Sequence, residues 1–250
     1  MGTVAPDLEY FVRFAPGGGW GHTIPGALGL SLPLAIAALW LFHCYVKLPV
    51  TLLLPEGVQR RLEPWLHPFA FGGPRRFALI VVSIVVGIAT HLAWDMVTHD
   101  DSWLFWHWEF LRRSEKFPVI GWEQNCGILQ YISSLAGFVL LVIWLAHWYR
   151  AARPAQSPVV RQLEPAHKIA IFGLMTVTAV VAGIVRAWVR LRFPHRWEPF
   201  VEFTGFASVT AISLLWWQLI LWGLALRPRF PHAQAGSSSA TFESGTSDAA

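Results

Sequence analysis

The 250-residue chain has the composition of a membrane protein, because 54% of its residues are hydrophobic and only 14% are charged. A soluble domain carries about 25% charged residues to keep its surface hydrated, so this composition excludes a soluble domain with a large core. The net charge of +4 comes from Lys and Arg in short runs between apolar stretches, which indicates topology signals and not a nucleic-acid surface.

Five apolar stretches are each long enough to cross a bilayer core of about 30 Å, which takes about 20 helical residues. They lie at 24–46, 77–98, 127–149, 169–189 and 204–226. This pattern predicts an all-α fold, a polytopic transmembrane helix bundle that forms a single domain over residues 1–230. The remaining segment, 231–250, is rich in Ser, Gly and Ala, which predicts a disordered tail.

The orientation is indicated by the basic residues in the connections between spans. The connections 47–76, 150–168 and 227–250 hold more Lys and Arg than the segments 1–23, 99–125 and 190–203. Because cytoplasmic loops carry the excess of basic residues, we expect the N-terminus outside and the C-terminus in the cytoplasm, in the plasma membrane.

Ionisable side chains interrupt the second span near its end. An ionised side chain inside a span costs about 2.5–3.5 kcal/mol on insertion scales, so it requires a partner or a function. His91, Asp95 and His99 are spaced i, i+4 and i+8, which places them on one face of a helix. Imidazole and carboxylate groups on one helical face are typical of metal ligands, and further ligands must come from elsewhere.

The segment before the first span supplies the further candidates, Asp7, Glu9 and His22. Two crossings return the chain to its starting side, so these residues and the end of the second span share one membrane face. We therefore predict a site for a divalent metal ion, zinc or a similar ion. The predicted ligands are His22, His91, Asp95 and His99, with Asp7 or Asp100 completing the shell, and Asp100 and Glu9 are the candidate general bases.

Each of these residues also has a structural interpretation, which the sequence leaves open. His91 and Asp95 are spaced for a hydrogen-bonded pair that faces the bundle interior. Asp7 is placed to cap a short helix, and His22 precedes Thr23 and Pro25, which is typical of a helix start. Asp100 and Asp101 open a loop, where solvated carboxylates are common.

Two other groups of residues lie at the same membrane face. Trp103, Trp106 and Trp108 are typical of an interfacial belt that anchors the loop after the second span. Arg186 and Arg190 share one face at the end of the fourth span. They fit either basic anchors that extend to the headgroups or ligands for a phosphate or a lipid headgroup.

Four sequence motifs resemble a known family. In order, PDLEYF (6–11), HTIPG (22–26), HLAWDMVTHDDSW (91–103) and LQYISSLAGF (129–138) resemble a bacterial family of multi-pass membrane proteins defined by domain of unknown function 4184. The family pattern usually also has a Ser-His pair before the Pro-Asp motif, which this sequence lacks, and tends to have His where this chain has Tyr131. The HxxxD of His91 and Asp95 is similar to the helical zinc-ligand pair of the zinc-dependent phospholipase C and P1 nuclease group. Membrane-bound metal-dependent hydrolases that resemble that group share a related pattern.

The sequence supports two functional hypotheses of different classes. In the first, the protein is a metal-dependent hydrolase that acts on a phosphoester or a lipid-linked substrate at one membrane face. In the second, it is a non-catalytic membrane scaffold or transport component whose His and Asp residues are structural or relay protons. Both hypotheses have the lipid bilayer as a partner and no nucleic acid, and the sequence specifies no oligomeric state.

Overall fold

The structure is a computed structural model, and it describes residues 1–17, 19–117, 121–156, 163–191 and 197–226. The helices in these residues are α1 (Leu8–Arg13), α2 (Ile24–Gly26), α3 (Leu32–Leu41), α4 (Lys47–Leu53), α5 (Glu56–Leu62), α6 (Pro74–Thr98), α7 (Trp103–His107), α8 (Glu109–Arg112), α9 (Asn125–Ala151), α10 (Pro165–Leu191) and α11 (Trp197–Leu226). Strands β1 (Ser114–Phe117) and β2 (Gly121–Gln124) pair in an antiparallel hairpin. Short 3-10 turns occur at Gly2–Val4 and Glu63–Trp65.

Five helical segments are long and apolar enough to cross a membrane. They are Ile24–Leu53, Pro74–His107, Asn125–Ala151, Pro165–Leu191 and Phe200–Leu226. The predicted all-α fold with five spans is therefore confirmed. All five segments extend beyond the predicted bounds at one or both ends, because hydropathy detects only the apolar centre of a span. In the second segment α6 ends at Thr98, and the remainder is a turn followed by α7. The hairpin β1–β2 departs from the prediction, and the predicted tail at 231–250 lies outside the described residues.

The apolar side chains of the spans lie mostly on the outside of the bundle. In α9, Leu135, Phe138 and Leu140 are 66%, 64% and 65% exposed. A soluble protein would bury such a surface, whereas hydrocarbon solvates it. The exposure of these side chains therefore fits a bilayer environment.

The first span is one continuous helical segment that contains two π-helical turns, Ala27–Ser31 and Phe42–Val46, between α2, α3 and α4. Each π-helical turn precedes a proline, Pro33 or Pro49. Proline lacks an N–H donor and its ring clashes with the carbonyl four residues earlier, and a wider turn relieves that clash.

The first and last spans approach each other closely near one of these prolines. Tyr45 lies four residues before Pro49, and its carbonyl oxygen lies against Gly223 of α11. A Cβ atom at Gly223 would overlap that oxygen. The contact between α11 and the first span therefore requires glycine at this position.

The helices α10 and α11 pack closely along their length. Gly183 of α10 faces Ala207 and Ala211 of α11, so small residues allow the two backbones to approach. Between the same helices, the Gln218 side-chain amide donates a hydrogen bond to the Thr178 hydroxyl at 3.2 Å.

The N-terminal segment packs on the second half of α6. Gly2 contacts Gly87 so closely that a Cβ at Gly87 would lie 2.7 Å from the Gly2 backbone. A small apolar core of Ala5, Ala27, Ala35, Ile84 and Ile88 joins this segment to the first span and to α6. This packing brings the polar residues before the first span beside those at the end of the second.

Candidate metal centre

Four side chains from three parts of the chain meet at the end of α6. The Nε2 atom of His22 lies 3.3 Å from Oδ1 of Asp7 and 3.6 Å from Oδ2 of Asp95. The Nε2 atom of His91 lies 3.8 Å from the same Asp7 oxygen and 3.0 Å from the same Asp95 oxygen. The two imidazoles and two carboxylates therefore alternate in a closed ring, which we call the His/Asp ring.

Three members of the His/Asp ring, Asp7, His22 and His91, have the spacing of ligands to a small divalent ion. Zinc bound to nitrogen or oxygen at about 2.0–2.1 Å in a tetrahedron has ligand atoms about 3.3 Å apart. The four distances in the ring run from 3.0 to 3.8 Å, on both sides of that value. One ligand atom each from Asp7, His22 and His91 lies within 4.8 Å of the other two, whereas Asp95 contacts both histidines without belonging to this group.

The tautomer of His91 also fits metal binding. Its Nδ1 lies 2.8 Å from the carbonyl oxygen of Thr3. Since a carbonyl only accepts, Nδ1 carries the hydrogen, and in neutral imidazole the lone pair of Nε2 then faces the ring. Metal-ligating histidines commonly donate their other ring N–H to a carbonyl in this way. The close contact between Gly2 and Gly87, one helical turn before His91, holds the Thr3 carbonyl in place.

His91 and Asp95 form an ion pair whose facing atoms, Nε2 and Oδ2, are 3.0 Å apart but do not have the geometry of a hydrogen bond. Among the described residues, His91 Nε2 and Asp95 Oδ2 are buried without a hydrogen-bond partner of proper geometry. Buried polar atoms are rarely left so, and a shared cation would satisfy both lone pairs. A shared cation suits this arrangement, and a proton on His91 Nε2 that completes the i, i+4 ion pair with Asp95 suits it equally.

Asp7 and His22 face the ring and do not cap helices. Asp7 occupies the N-cap position of α1, yet its carboxylate forms no capping hydrogen bond. In the first span, Thr23 is the cap, because its Oγ1 accepts from the Gly26 N–H at 3.1 Å. His22 therefore lies just before the helix, with its Nε2 directed at Asp7 and Asp95.

The environment of His22 favours its protonated form when no metal is bound. The hydrogen bond to Asp7 raises the pKa of His22 above its usual value, and burial opposes that rise only in part. The ring of Tyr10 stacks on His22 with centroids 5.6 Å apart. Burial, followed by the negative charge of Asp7, raises the pKa of Tyr10 to about 12, so its hydroxyl stays protonated at neutral pH.

The other predicted site residues lie around the His/Asp ring and not in it. His99 Nδ1 lies 3.7 Å from Asp95 Oδ1, the oxygen that does not face the ring histidines. Glu9 accepts hydrogen bonds from Arg13 at 2.9 Å and from the Gly21 N–H at 3.0 Å, so its carboxylate holds the His22 loop. Asp100 is exposed in the turn after α6 and has no ion pair within the described part of the chain.

An open cleft of about 750 Å³ gives access to the His/Asp ring. Its polar lining includes Tyr10, His22, Asp95, His99, Asp101 and Ser102. Its apolar lining includes Ile24, Leu92 and Met96, of which Ile24 is 78% exposed. The cleft therefore combines a polar floor with an apolar wall formed by the first and second spans.

Sequence reasoning missed two contributors to the site. The Thr3 carbonyl leaves no signal in a sequence, because it acts through the backbone. Tyr10 follows Asp7 by three residues and shares a face of α1 with it, a spacing that sequence analysis is able to detect. Thr3 orients His91 through a hydrogen bond, and Tyr10 stacks on His22.

Comparisons with known proteins place the chain in a family. No curated protein and no solved structure matches it. A family model described as Domain of unknown function (DUF4184) matches residues 1–224, which include all four motifs and most of the fifth span. The chain therefore belongs to the DUF4184 family.

Proposed function

We propose that this multi-pass membrane protein is a metal-dependent hydrolase whose His/Asp ring holds one divalent ion. The observation that carries the proposal is the alternation of two imidazole nitrogens and two carboxylate oxygens at 3.0–3.8 Å. Mixed nitrogen and oxygen ligands suit zinc, whereas magnesium and calcium prefer oxygen ligands alone. We therefore propose zinc, bound by Asp7, His22, His91 and Asp95.

The competing function is a structural metal site. Structural zinc sites usually have four protein ligands, whereas catalytic zinc sites keep one coordination position for water. Two observations favour catalysis. The cleft reaches His22 and Asp95 directly, so a substrate has access to the ring. A further imidazole lies beside the ring, because His99 Nδ1 is 3.7 Å from the second Asp95 oxygen.

The bound ion would supply Lewis-acid activation of water and of the scissile bond. Around it, the Tyr10 hydroxyl is a hydrogen-bond donor for a substrate oxygen, since it stays protonated. Asp100 remains the proposed general base, because it is exposed beside Asp101, which lines the cleft. Glu9 is better suited to positioning, since both of its oxygens already accept hydrogen bonds.

We propose an amphiphilic substrate, either a lipid-linked molecule or another phosphoester with an apolar part. The polar floor of the cleft suits a phosphate-bearing head, and the exposed side chains of Ile24 and Met96 suit an acyl or prenyl chain. The distribution of basic residues supports a plasma-membrane location in which this cleft faces outward.

The test is hydrolysis by the full chain purified in detergent, stripped with a chelator and reloaded with zinc. The substrates are bis(p-nitrophenyl) phosphate and a fluorescent phospholipid. We expect zinc-dependent hydrolysis that falls about a hundredfold or more in His91→Ala and Asp95→Asn, because each change removes a ligand. The control is His167→Ala, which changes an exposed histidine that pairs only with Glu164 among the described residues.

The competing structural function gives a different result. The ring variants would lose zinc and thermal stability, while wild type would hydrolyse neither substrate faster than zinc alone. That result would contradict the hydrolase.

A further inference from the structure

A second pocket lies at the other end of α1, on the same side of the bundle as the His/Asp ring. It has a volume of about 540 Å³ and is lined by Ala15, Arg186, Val189, Arg190 and Phe206. None of these residues belongs to the ring or to its cleft, so a function of this pocket does not depend on the metal centre.

The guanidinium of Arg186 is fixed by the bundle. Its Nη1 donates to the carbonyl of Phe14 and, at 2.9 Å, to the hydroxyl of Thr210. The guanidinium also lies over the ring of Phe206, 4.8 Å from its centroid. An arginine that only anchors a span extends freely to the headgroups, whereas this one is held by three contacts.

The fixed position of Arg186 leaves donors available. In the described part of the chain, Nη1 is the donor in both hydrogen bonds of the Arg186 side chain. A guanidinium carries five N–H groups on three nitrogens, so the N–H groups on Nε and Nη2 are not used in these two bonds. Donors on Nε and Nη2 form the planar fork that matches two oxygens of a phosphate.

Arg190 follows Arg186 by one helical turn and lines the same pocket. Within the described ranges neither arginine forms an ion pair with a carboxylate, although Arg13, Arg60 and Arg113 each pair with a glutamate. Two like charges one turn apart repel each other unless an anion lies between them. The pocket therefore has the charge and the donors for an anion.

The surroundings of the two arginines indicate the depth of the pocket in the membrane. Val189 is 78% exposed and lies between them in sequence, within the last turns of the fourth span. A site with apolar walls and basic groups at a span end lies at the level of the lipid headgroups.

We propose that Arg186 and Arg190 form a binding site for a phosphate group, carried by an anionic lipid headgroup or present as free phosphate. Arg186 supplies the oriented fork, and Arg190 supplies a second charge from the open side of the pocket. Phe206 and Val189 contact the apolar part of the ligand when the phosphate belongs to a lipid.

The experiment measures binding to the full chain in detergent by native mass spectrometry. The probes are dioleoylphosphatidylglycerol, dioleoylphosphatidylcholine and inorganic phosphate. The variant is Arg190→Gln, because among the described residues Arg190 has no ion pair whose loss would unfold the bundle. The matched control is Arg112→Gln, which removes one exposed positive charge from the same membrane side.

We expect Arg190→Gln to weaken phosphatidylglycerol binding about tenfold, and Arg112→Gln to leave it unchanged. Phosphatidylcholine should bind more weakly than phosphatidylglycerol to wild type. Displacement of the lipid by millimolar phosphate would identify free phosphate as the ligand, and resistance to phosphate would identify the lipid. Equal binding by wild type and Arg190→Gln, or equal weakening by both variants, would overturn the proposal.

Discussion

At the scale of single residues, the orientation of His91 decides what the site is able to bind. Its Nδ1–H donates to the Thr3 carbonyl, so Nε2 faces Asp7 and Asp95. The carbonyl is held there because Gly2 packs against Gly87. The close contact between Gly2 and Gly87 therefore acts on the orientation of His91 through the Thr3 carbonyl.

The substitution Gly87→Ala tests this control. The added methyl group would displace the Gly2 backbone and break the hydrogen bond between the Thr3 carbonyl and His91 Nδ1. We expect zinc affinity to fall about 10- to 100-fold, the usual cost of losing an outer-shell partner. Zinc titration against a competing chelator measures the change. The control is Gly137→Ala on α9, where no atom lies within 4 Å, and an unchanged affinity in Gly87→Ala would contradict the role of Thr3.

A second residue-scale prediction concerns His22 in the metal-free protein. Its bond to Asp7 raises its pKa, so the folded state holds the proton more tightly than the unfolded chain, where the pKa is about 6.5. The stabilisation from this pairing is fully present below the pKa of His22 in the unfolded chain. It is lost as the pH rises through the pKa of His22 in the folded protein.

The measurement is thermal unfolding of chelator-treated wild type and Asp7→Asn from pH 5.5 to 8.5. We expect wild type to have the higher Tm at the acidic end, with a difference that shrinks as pH rises. Zinc affinity should change in the opposite direction and rise with pH, because the proton and the metal compete for His22. A Tm difference that grows with pH would contradict the assigned pairing.

At the scale of elements, Pro49 and Gly223 act together to join the first and last spans. The π-helical turn Phe42–Val46 relieves the clash at Pro49, and the Tyr45 carbonyl contacts α11 where Gly223 has no side chain. Gly223→Ala should destabilise the bundle by about 1–3 kcal/mol, as overpacking does elsewhere. The control Gly173→Ala has no atom within 4 Å and should be neutral or stabilising. Thermal unfolding in detergent compares the two, and equal Tm values would refute the contact.

The spans were predictable from the sequence, whereas their internal geometry was not. A long apolar run identifies a span, because lipid requires about 20 apolar residues in a helix. The positions of Pro33 and Pro49 do not predict the π-helical turns before them, since a proline kink depends on what packs beside it. The spacing of His91, Asp95 and His99 predicted one helical face, yet the helix ends at Thr98 and His99 has an extended backbone, with φ −112° and ψ 141°. His99 therefore lies near Oδ1 of Asp95, the oxygen that does not face His22 and His91.

At the scale of the whole molecule, the number of crossings brings distant residues together. Two spans separate His22 from the end of α6, and the structure places its Nε2 3.6 Å from Asp95. This convergence was predictable from the sequence, because an even number of crossings returns the chain to one face. Which side chains form the ring was not predictable, since it depends on the packing of Gly2 and Ala5 on α6.

The zinc content of the purified protein is the most direct test of the metal centre. The full chain, stripped, reloaded and desalted in detergent, is analysed for zinc by mass spectrometry together with Asp7→Asn, His22→Ala, His91→Ala and His167→Ala. The His/Asp ring predicts one tightly bound zinc ion per chain in wild type and His167→Ala, and little or none in the three ring variants. Equal zinc content in all five proteins, or none in a folded wild type, would contradict the metal centre.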